Sequence, residues 1–465
     1  MATGNSPSII LRFVSGTLAL SIPNKQAAEE IARQFPELRL DPQDGIHRLP
    51  AIRYRPLVEW LVGGKVPHVD EARGYNRRPF VFQEGKTPFD HQTAAVDGWW
   101  KAGGRGVVVL PTGTGKSFVA QLAIHRTGRP TMVVCPTIDL MHQWQGQLSK
   151  AFGEEVGLAG GGFLEWRDIT VATYDSAYLQ VERWGNRFGL LVFDEVHHLP
   201  GASTQLSAKG AIAPFRLGLT ATLEREDGGH AVLDDLIGPV VYRRDISELS
   251  GTHLAEYQTE RVWVELSPQE REQYDNESLL LREYLASQGY SLGGGGGWNR
   301  FLRECSRSPE ARRAFKAFII QRRLLQQCEA KMEALERLLQ NHHRDRVLLF
   351  TADNATVYKI SRRFLVPALT HLTKPAERKS LLQAFHDGTL PILATSRVLN
   401  EGVDVPKASV AVVLSGSGTV REHVQRLGRI LRRHEGKKAV LYEVVVRGTK
   451  EEFVSNRRRR HDAYQ

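Results

Sequence analysis

The chain has 465 residues, 25% charged and 41% hydrophobic, an ordinary globular composition with apolar mass for roughly two to four domains. Its formal net charge of +10 favours a polyanionic partner, and no uncharged apolar run approaches the ~20 residues of a bilayer span, so no membrane association is expected. Three widely spaced cysteines, Cys135, Cys305 and Cys328, give neither a disulfide framework nor a metal-type pair, which points to a reducing compartment.

The chain opens without a basic region followed by a long apolar segment, so no signal peptide is expected. Residues 1–84 read as a small α+β module. Short β-like runs at 9–14 and 18–22 precede a helical pattern over 26–35, and the Pro- and Arg-rich stretch 75–80 reads as a linker behind it. From 85 to 250 short apolar runs recur at 107–110, 132–135, 169–172, 190–193 and 217–219, each followed by turn residues and helical periodicity. Continuous apolar runs suit strands buried on both faces of a parallel sheet, and their alternation with helices implies βαβ units. A new segment, 251–465, starts with a strand-like run at 261–266. Charged helices follow over about 268–340, interrupted by the five-glycine tip 293–297. The buried-strand pattern returns at 347–350, 392–394, 410–414 and 440–446. The expected fold is therefore α/β, with two parallel-sheet lobes, a small N-terminal α+β domain and a helical insertion near the start of the second lobe. Four consecutive arginines, 457–460, close the last segment and read as a solvated basic end.

The strongest local signal lies between a buried strand and a helical run, in Leu110-Pro-Thr-Gly-Thr-Gly-Lys-Ser117. Thr112, Gly113, Thr114 and Gly115 can curl backbone N–H groups around phosphate oxygens, and the following helix adds its dipole. Lys116 is placed to reach the β and γ phosphates of ATP, and Ser117 to offer its hydroxyl to Mg²⁺. Leu110 stands where the general pattern has glycine. Downstream, the apolar run 190–193 ends in Asp194 and Glu195. Asp194 is placed to hold Mg²⁺ through water and Glu195 to polarise an attacking water, at the carboxyl end of a strand where such sheets bind ligands. Paired histidines at 197–198 and 342–343 lack ligand partners at useful spacing, so no zinc is expected.

These motifs resemble those of superfamily 2 helicases and translocases over about 85–465, with two RecA-like lobes. The resemblance implies that Gln92 reads adenine, that Thr220 and Thr222 link hydrolysis to lobe movement, and that Pro136, Thr137 and Thr173 touch the nucleic-acid backbone. In the second lobe it implies that Gly402 and Asp404 lie near the phosphates and the ribose. Gln425 opens a helix whose Arg429 and Arg432 share a face and act as arginine fingers on the γ-phosphate. ATP would complete the site when the lobes close, so that hydrolysis becomes stepping.

Asp194-Glu-Val-His-His198, the triplet Arg225, Glu226 and Asp227, the run from Leu414 to His423, and the insertion after Pro268 narrow the resemblance to the XPB family of repair helicases in its short prokaryotic form. The family implies DNA as the track, single-stranded and forked duplex, with 3′-to-5′ polarity. It also implies duplex opening by the triplet in repair of the nucleotide-excision type, and a nuclease partner. Residues 1–84 fall where it carries a damage-recognition domain. Location would be cytoplasmic at a prokaryotic nucleoid, or nuclear in a eukaryote, and the state monomeric or heterodimeric. Arg300 and Arg303, near Trp298 and Phe301, read as a further nucleic-acid contact, against the plainer reading of an amphipathic helix with its aromatics in the core. Two other functions fit the same motifs: a duplex translocase in a restriction or remodelling assembly that does not separate strands, and a nucleotide-gated binder with negligible turnover.

Overall fold

The computed structural model describes residues 8–83, 85–223, 229–249, 256–289, 292, 296–396, 408–415 and 438–458. The chain divides into two compact units: Met1–Leu110 with Gly115–Arg244, and Asp245–Gln465, with which the short stretch Pro111–Thr114 is grouped.

The first unit begins with β1 (Ile9–Val14), β2 (Thr17–Ser21), α1 (Lys25–Gln34), β3 (Arg39–Leu40), β4 (His47–Pro50), α2 (Tyr54–Gly63) and β5 (His68–Asp70). The sheet order is β3-β4-β2-β1-β5. Alternation along β1 and β2 puts Ile9, Leu11, Leu18 and Leu20 on one face, where Ile31 of α1 and Leu57 and Leu61 of α2 pack on them. Asn24 starts α1 by accepting the Ala27 N–H at 2.8 Å.

The stretch read as a linker is an ordered strap on the body that follows. Gly74 N donates to Asn186 O, Arg78 N to Gly128 O and Gln83 N to Ala151 O. Arg78 bridges Asp168 and Glu154 at 2.6 and 2.5 Å. Phe80 is fully buried, and Phe82 stacks on Phe152 at 5.1 Å. The sequence shows proline and arginine there; the two phenylalanines just after them are what bind it down.

The body contains α3 (Asp90–Lys101), β6 (Arg105–Val109), α4 (Lys116–Thr127), β7 (Thr131–Cys135), α5 (Ile138–Phe152), β8 (Val156–Gly160), β9 (Phe163–Leu164), β10 (Ile169–Thr173), α6 (Tyr174–Leu179), α7 (Val181–Trp184), β11 (Leu190–Asp194), α8 (Leu206–Lys209), β12 (Phe215–Thr220), α9 (Leu233–Leu236) and β13 (Val240–Arg243). Its sheet runs β13-β6-β12-β11-β7-β10-β8-β9, parallel except for the β8–β9 pair. Every residue of β7, β8, β10 and β11 is buried, which is why these strands lack alternation. Arg216 of β12 is fully buried and donates to the carbonyls of Ala213, Leu236 and Ala211 at 3.2, 2.8 and 2.8 Å.

The second unit holds α10 (Ile246–Leu249), β14 (Glu256–Val264), α11 (Pro268–Ser287), α12 (Gly297–Cys305), α13 (Pro309–Gln327), α14 (Glu329–Asn341), β15 (Val347–Phe350), α15 (Asn354–Phe364), β16 (Ala368–Leu369), α16 (Pro375–Asp387), β17 (Ile392–Thr395), β18 (Val410–Val413), β19 (Lys438–Val446) and α17 (Lys450–Arg458). Its sheet, β14-β19-β18-β15-β17-β16, is parallel throughout. A capping box of Ser267 and Glu270 starts α11. Helices α11, α12 and α13 share a small core of Leu281, Phe301, Ala314 and Ala317, whereas α14 sends Met332, Leu335 and Leu338 into the core of the sheet.

Candidate active site

The glycine-rich loop joins β6 to α4. Gly113 and Gly115 stand at φ +90° and +84°, in the left-handed region that side chains avoid. A Cβ on Gly115 would also lie 2.3 Å from Gln92 Nε2. Gly115 caps α4 and accepts the Phe118 N–H at 2.9 Å, and the backbone N–H groups ahead of Phe118 can serve an anion. Lys116 Nζ donates to Leu110 O at 3.2 Å, which holds the ammonium over the start of the loop. Thr114 Oγ1 donates to Pro111 O at 2.8 Å. Thr112 Oγ1 is buried and makes no hydrogen bond among the described residues. Gln92, also buried, accepts the Phe89 N–H at the start of α3 (3.0 Å) and turns Nε2 toward Gly115 O at 3.5 Å. Ser117 is the second residue of α4.

Asp194 and Glu195 lie at the end of β11, which is separated from β6 by β12 alone. Asp194 is held by two donors: Trp144 Nε1 on Oδ2 at 2.8 Å and its neighbour Glu195 N on Oδ1 at 3.0 Å. Tyr174 donates its hydroxyl to Asp194 O at 3.0 Å. Burial, and then the Asp194 charge, push the Cys135 thiol well above its ordinary pKa, so it stays protonated and inert. Glu195 takes the left-handed conformation at φ +48°, a strained state for a side chain with a Cβ. Its Oε2 is buried without a hydrogen bond; His197 Nδ1, 3.5 Å away, is at the limit of an ionic contact and too long for a good hydrogen bond.

His197 connects this carboxylate to the next strand. Its Nδ1 lies 3.2 Å from Thr220 Oγ1, which donates to Thr222 O at 2.7 Å and accepts the Thr222 N–H at 3.2 Å. With the threonine proton directed at Thr222 O, the imidazole donates from Nδ1. Glu195, His197, Thr220 and Thr222 thus form one chain of contacts from β11 to the end of β12.

The other predicted residues of the first unit share this sheet edge. Pro136 and Thr137 follow β7, and Thr173 ends β10. The Thr137 hydroxyl accepts the Leu140 N–H and caps α5, while that of Thr173 accepts the Ser176 N–H and caps α6. Arg300 and Arg303 are exposed on α12. Arg300 pairs with Glu304 at 3.1 Å, and Arg303 donates to Asn299 O at 3.3 Å. Phe301 is fully buried, and Trp298 packs on Phe318 at 5.2 Å, so these aromatics fill the helical core and form no stacking platform beside the arginines. Arg225, Glu226, Asp227, Gly402, Asp404, Gln425, Arg429 and Arg432 lie outside the described residues. Sequence reasoning gave no role to Trp144 or His197. The signal for the first was a buried indole, whose N–H needs an acceptor.

Two oxygens without partners, on Thr112 and Glu195, a glycine turn that a Cβ would block, and a doubly oriented Asp194 suit a phosphate chain and a divalent cation. Ser117 and Asp194 could hold the cation.

Three family models match the chain: the Xeroderma pigmentosum group B helicase damage recognition domain over residues 11–72, the type III restriction enzyme res subunit over 85–225, and the helicase conserved C-terminal domain over 330–434. The chain is 41% identical over 410 residues to the DNA 3′-5′ translocase XPB2 of Sulfurisphaera tokodaii, covering 88% of this chain and 92% of that one. It is 30% identical to the DNA 3′-5′ helicase XPB of Mycobacterium tuberculosis, covering 82% of this chain and 64% of the relative. The Pyrococcus furiosus Hef helicase domain superposes with a TM-score of 0.52 at 18% identity, over 79% of this chain and 97% of that domain, a likeness of fold.

Proposed function

The chain belongs to the XPB family of superfamily 2 helicases, and on that premise we propose that it hydrolyses ATP with Mg²⁺ to move 3′-to-5′ along DNA, opening duplex in repair of the nucleotide-excision type. The observation that carries the reading is the arrangement at one sheet edge: the Lys116 loop after β6 and the Asp194–Glu195 pair after β11, joined by His197 to Thr220 and Thr222.

Mg²⁺, when bound with ATP, neutralises phosphate charge. The residues do the rest. Lys116 and the N–H groups of the loop hold the phosphates, and Gln92 faces the base. Ser117 and Asp194 would hold the metal. Glu195, left without a competing hydrogen bond, takes the proton of the attacking water. Thr220 and Thr222 carry the state of Glu195 to the segment that follows β12. From the family pattern, Gly402, Asp404 and Gln425 complete nucleotide binding, Arg429 and Arg432 stabilise the departing phosphate, and Arg225, Glu226 and Asp227 open the duplex. Pro136, Thr137, Thr173, Arg300 and Arg303 contact the strand. Residues 11–72 add a DNA-facing domain. The protein works at a prokaryotic nucleoid, or in a nucleus, as a monomer or with a nuclease.

A second reading is favoured by one finding: the relative at 41% identity is named a translocase. Movement along duplex without strand separation would use the same site. ATP hydrolysis measured alone and with single-stranded, duplex and forked DNA, and with single-stranded RNA, tests the first claim, with Lys116→Ala as blank. Turnover that DNA does not stimulate refutes it. Strand displacement on forks supports the helicase; triplex displacement without unwinding supports the translocase.

A further inference from the structure

The second unit carries a cluster of cations that none of these roles uses. Trp263, near the end of the edge strand β14, lies between two guanidinium groups. Arg261 stands 5.0 Å and Arg447 5.5 Å from its ring centroid. Strand β14 pairs in parallel with β19 and sets Trp263 opposite Val445, so both arginines share the ring's face of the sheet. Helix α17 lies over that face: Ser455 Oγ donates to Glu443 Oε2 at 2.7 Å, and Asn456 Oδ1 accepts from Arg261 at 2.7 Å. Arg271 of α11 closes the group by donating to the carbonyls of Arg447 and Gly448 at 2.7 and 3.2 Å.

The partners of these three arginines are neutral. Elsewhere on the surface arginines meet carboxylates, as Arg78 meets Asp168 and Glu154. Among the described residues, Arg261 meets an amide oxygen and a ring, Arg271 two carbonyls and Arg447 a ring, and none of the three has a carboxylate within ion-pair distance. The nearby acids are engaged. Glu451 takes the buried ammonium of Lys331 at 2.8 Å, and Glu452 accepts the Gly448 N–H at 3.0 Å. Helix α17 carries its acids, Glu451 and Glu452, in its first turn. Phe453, 77% exposed, shares a helical face with Asn456, and the sequence runs on through four arginines, 457–460. The group sits at the carboxyl ends of β14 and β19, the same edge of the parallel sheet from which Thr395 and Leu414 emerge.

We propose that this surface, Arg261, Trp263, Arg271 and Arg447 beside Phe453 and Asn456 of helix α17, is a second DNA-binding surface that takes the phosphate backbone of the track. The proposal rests on the DNA-motor reading above and deepens it. Two guanidinium groups beside an indole and a third tied to backbone carbonyls lose little freedom on meeting phosphates, and their charge, which no carboxylate among the described residues offsets, is the complement of a polyanion. The exposed ring of Phe453 offers apolar contact beside the charge. Sequence-blind phosphate contact is what a motor needs.

The test uses the full chain and a labelled forked duplex, with anisotropy titrations between about 50 and 200 mM salt. For the double substitution Arg261→Gln with Arg447→Gln, the slope of log K against log salt should become shallower by roughly 1.8, about 0.9 for each lost phosphate contact. The DNA concentration giving half-maximal ATPase stimulation should rise roughly tenfold at about 0.1 M salt, with the maximal rate unchanged. Arg261→Lys with Arg447→Lys should keep the slope. An unchanged slope and affinity in the glutamine variant overturn the proposal, as does an equal loss in the lysine variant, which would assign the effect to packing on Trp263. If the parent protein is stimulated by DNA and the glutamine variant matches it, the surface alone fails. If DNA does not stimulate the parent, the motor reading fails first.

Discussion

Replacing Glu195 by glycine and by alanine separates the strain at this position from its chemistry. Glu195 holds φ +48°, ψ +54°, a conformation that costs a residue with a Cβ about 1–2 kcal/mol. Both substitutions remove the carboxylate whose Oε2 is buried without a hydrogen bond, and both lose nearly the same packing. They differ in backbone. Alanine retains the left-handed strain; glycine does not, but gives up roughly 0.5–1 kcal/mol more chain entropy on folding. Glu195→Gly should therefore be more stable than Glu195→Ala by about 0.5–1 kcal/mol, the reverse of the usual order in regular structure. In a lobe of this size that is roughly 1–4 °C in the midpoint of the thermal transition, resolvable by calorimetry on matched samples. ATP turnover should fall by about 10²–10⁴-fold in both, as expected for loss of a general base. An alanine variant as stable as the glycine one would refute the strain argument. Undiminished turnover would remove Glu195 from the chemistry.

Three further outcomes are expected. Arg216→Met strands the carbonyls of Ala211, Ala213 and Leu236 and should cost roughly 2–4 kcal/mol in urea denaturation; a loss under about 1 kcal/mol would show that water or relaxation replaces the guanidinium. Burial pushes the Tyr75 phenol up to about 12 from its ordinary 10.0, so the folded protein keeps a proton that the unfolded chain has lost. That stability is fully present below pH 10 and is lost as pH rises toward 12; Tyr75→Phe should abolish a loss of about 2–3 kcal/mol over that window, and an unchanged alkaline profile would refute it. Arg225→Ala should leave DNA-stimulated ATP hydrolysis largely intact and impair strand separation, read by displacement on forked DNA, and normal unwinding would return the triplet to a solvated loop.

Most central strands of both lobes were legible because burial on two faces leaves an unbroken apolar run, as at Val347–Phe350, whose bounds match the sequence reading, whereas β8, β9, β13 and β16 were not read and β14 starts at Glu256 rather than 261. The glycine-rich loop was legible because its chemistry is local: two glycines, a lysine and a serine within the five positions 113–117. What escaped is what depends on the fold. Helix α2 was missed because Tyr54, Leu57 and Leu61 face a sheet assembled from distant strands. Trp144 reaches Asp194 across 50 positions of sequence, and no spacing announces that bond. His197 was visible as a motif letter, but its link to Thr220 required β11 and β12 to be neighbours. The Arg300 segment shows the opposite case: the sequence set arginines beside aromatics, and the helix turned them to opposite sides.

The strap that lashes the N-terminal module to the first lobe has a consequence for synthesis on the ribosome. Phe80 and Phe82 leave the translation machinery well before the groove that receives them exists. Phe152 is made some seventy residues later, roughly 4–14 s at ~5–20 residues per second. During that interval the finished module trails two bare aromatic rings and the guanidinium of Arg78, whose acidic partner Asp168 is made later still. The nascent chain therefore passes through a sticky stage set by the order of its own parts. A holdase that binds short aromatic-basic segments would find its target here, and a pause that slowed the codons for 90–150 would lengthen the exposure.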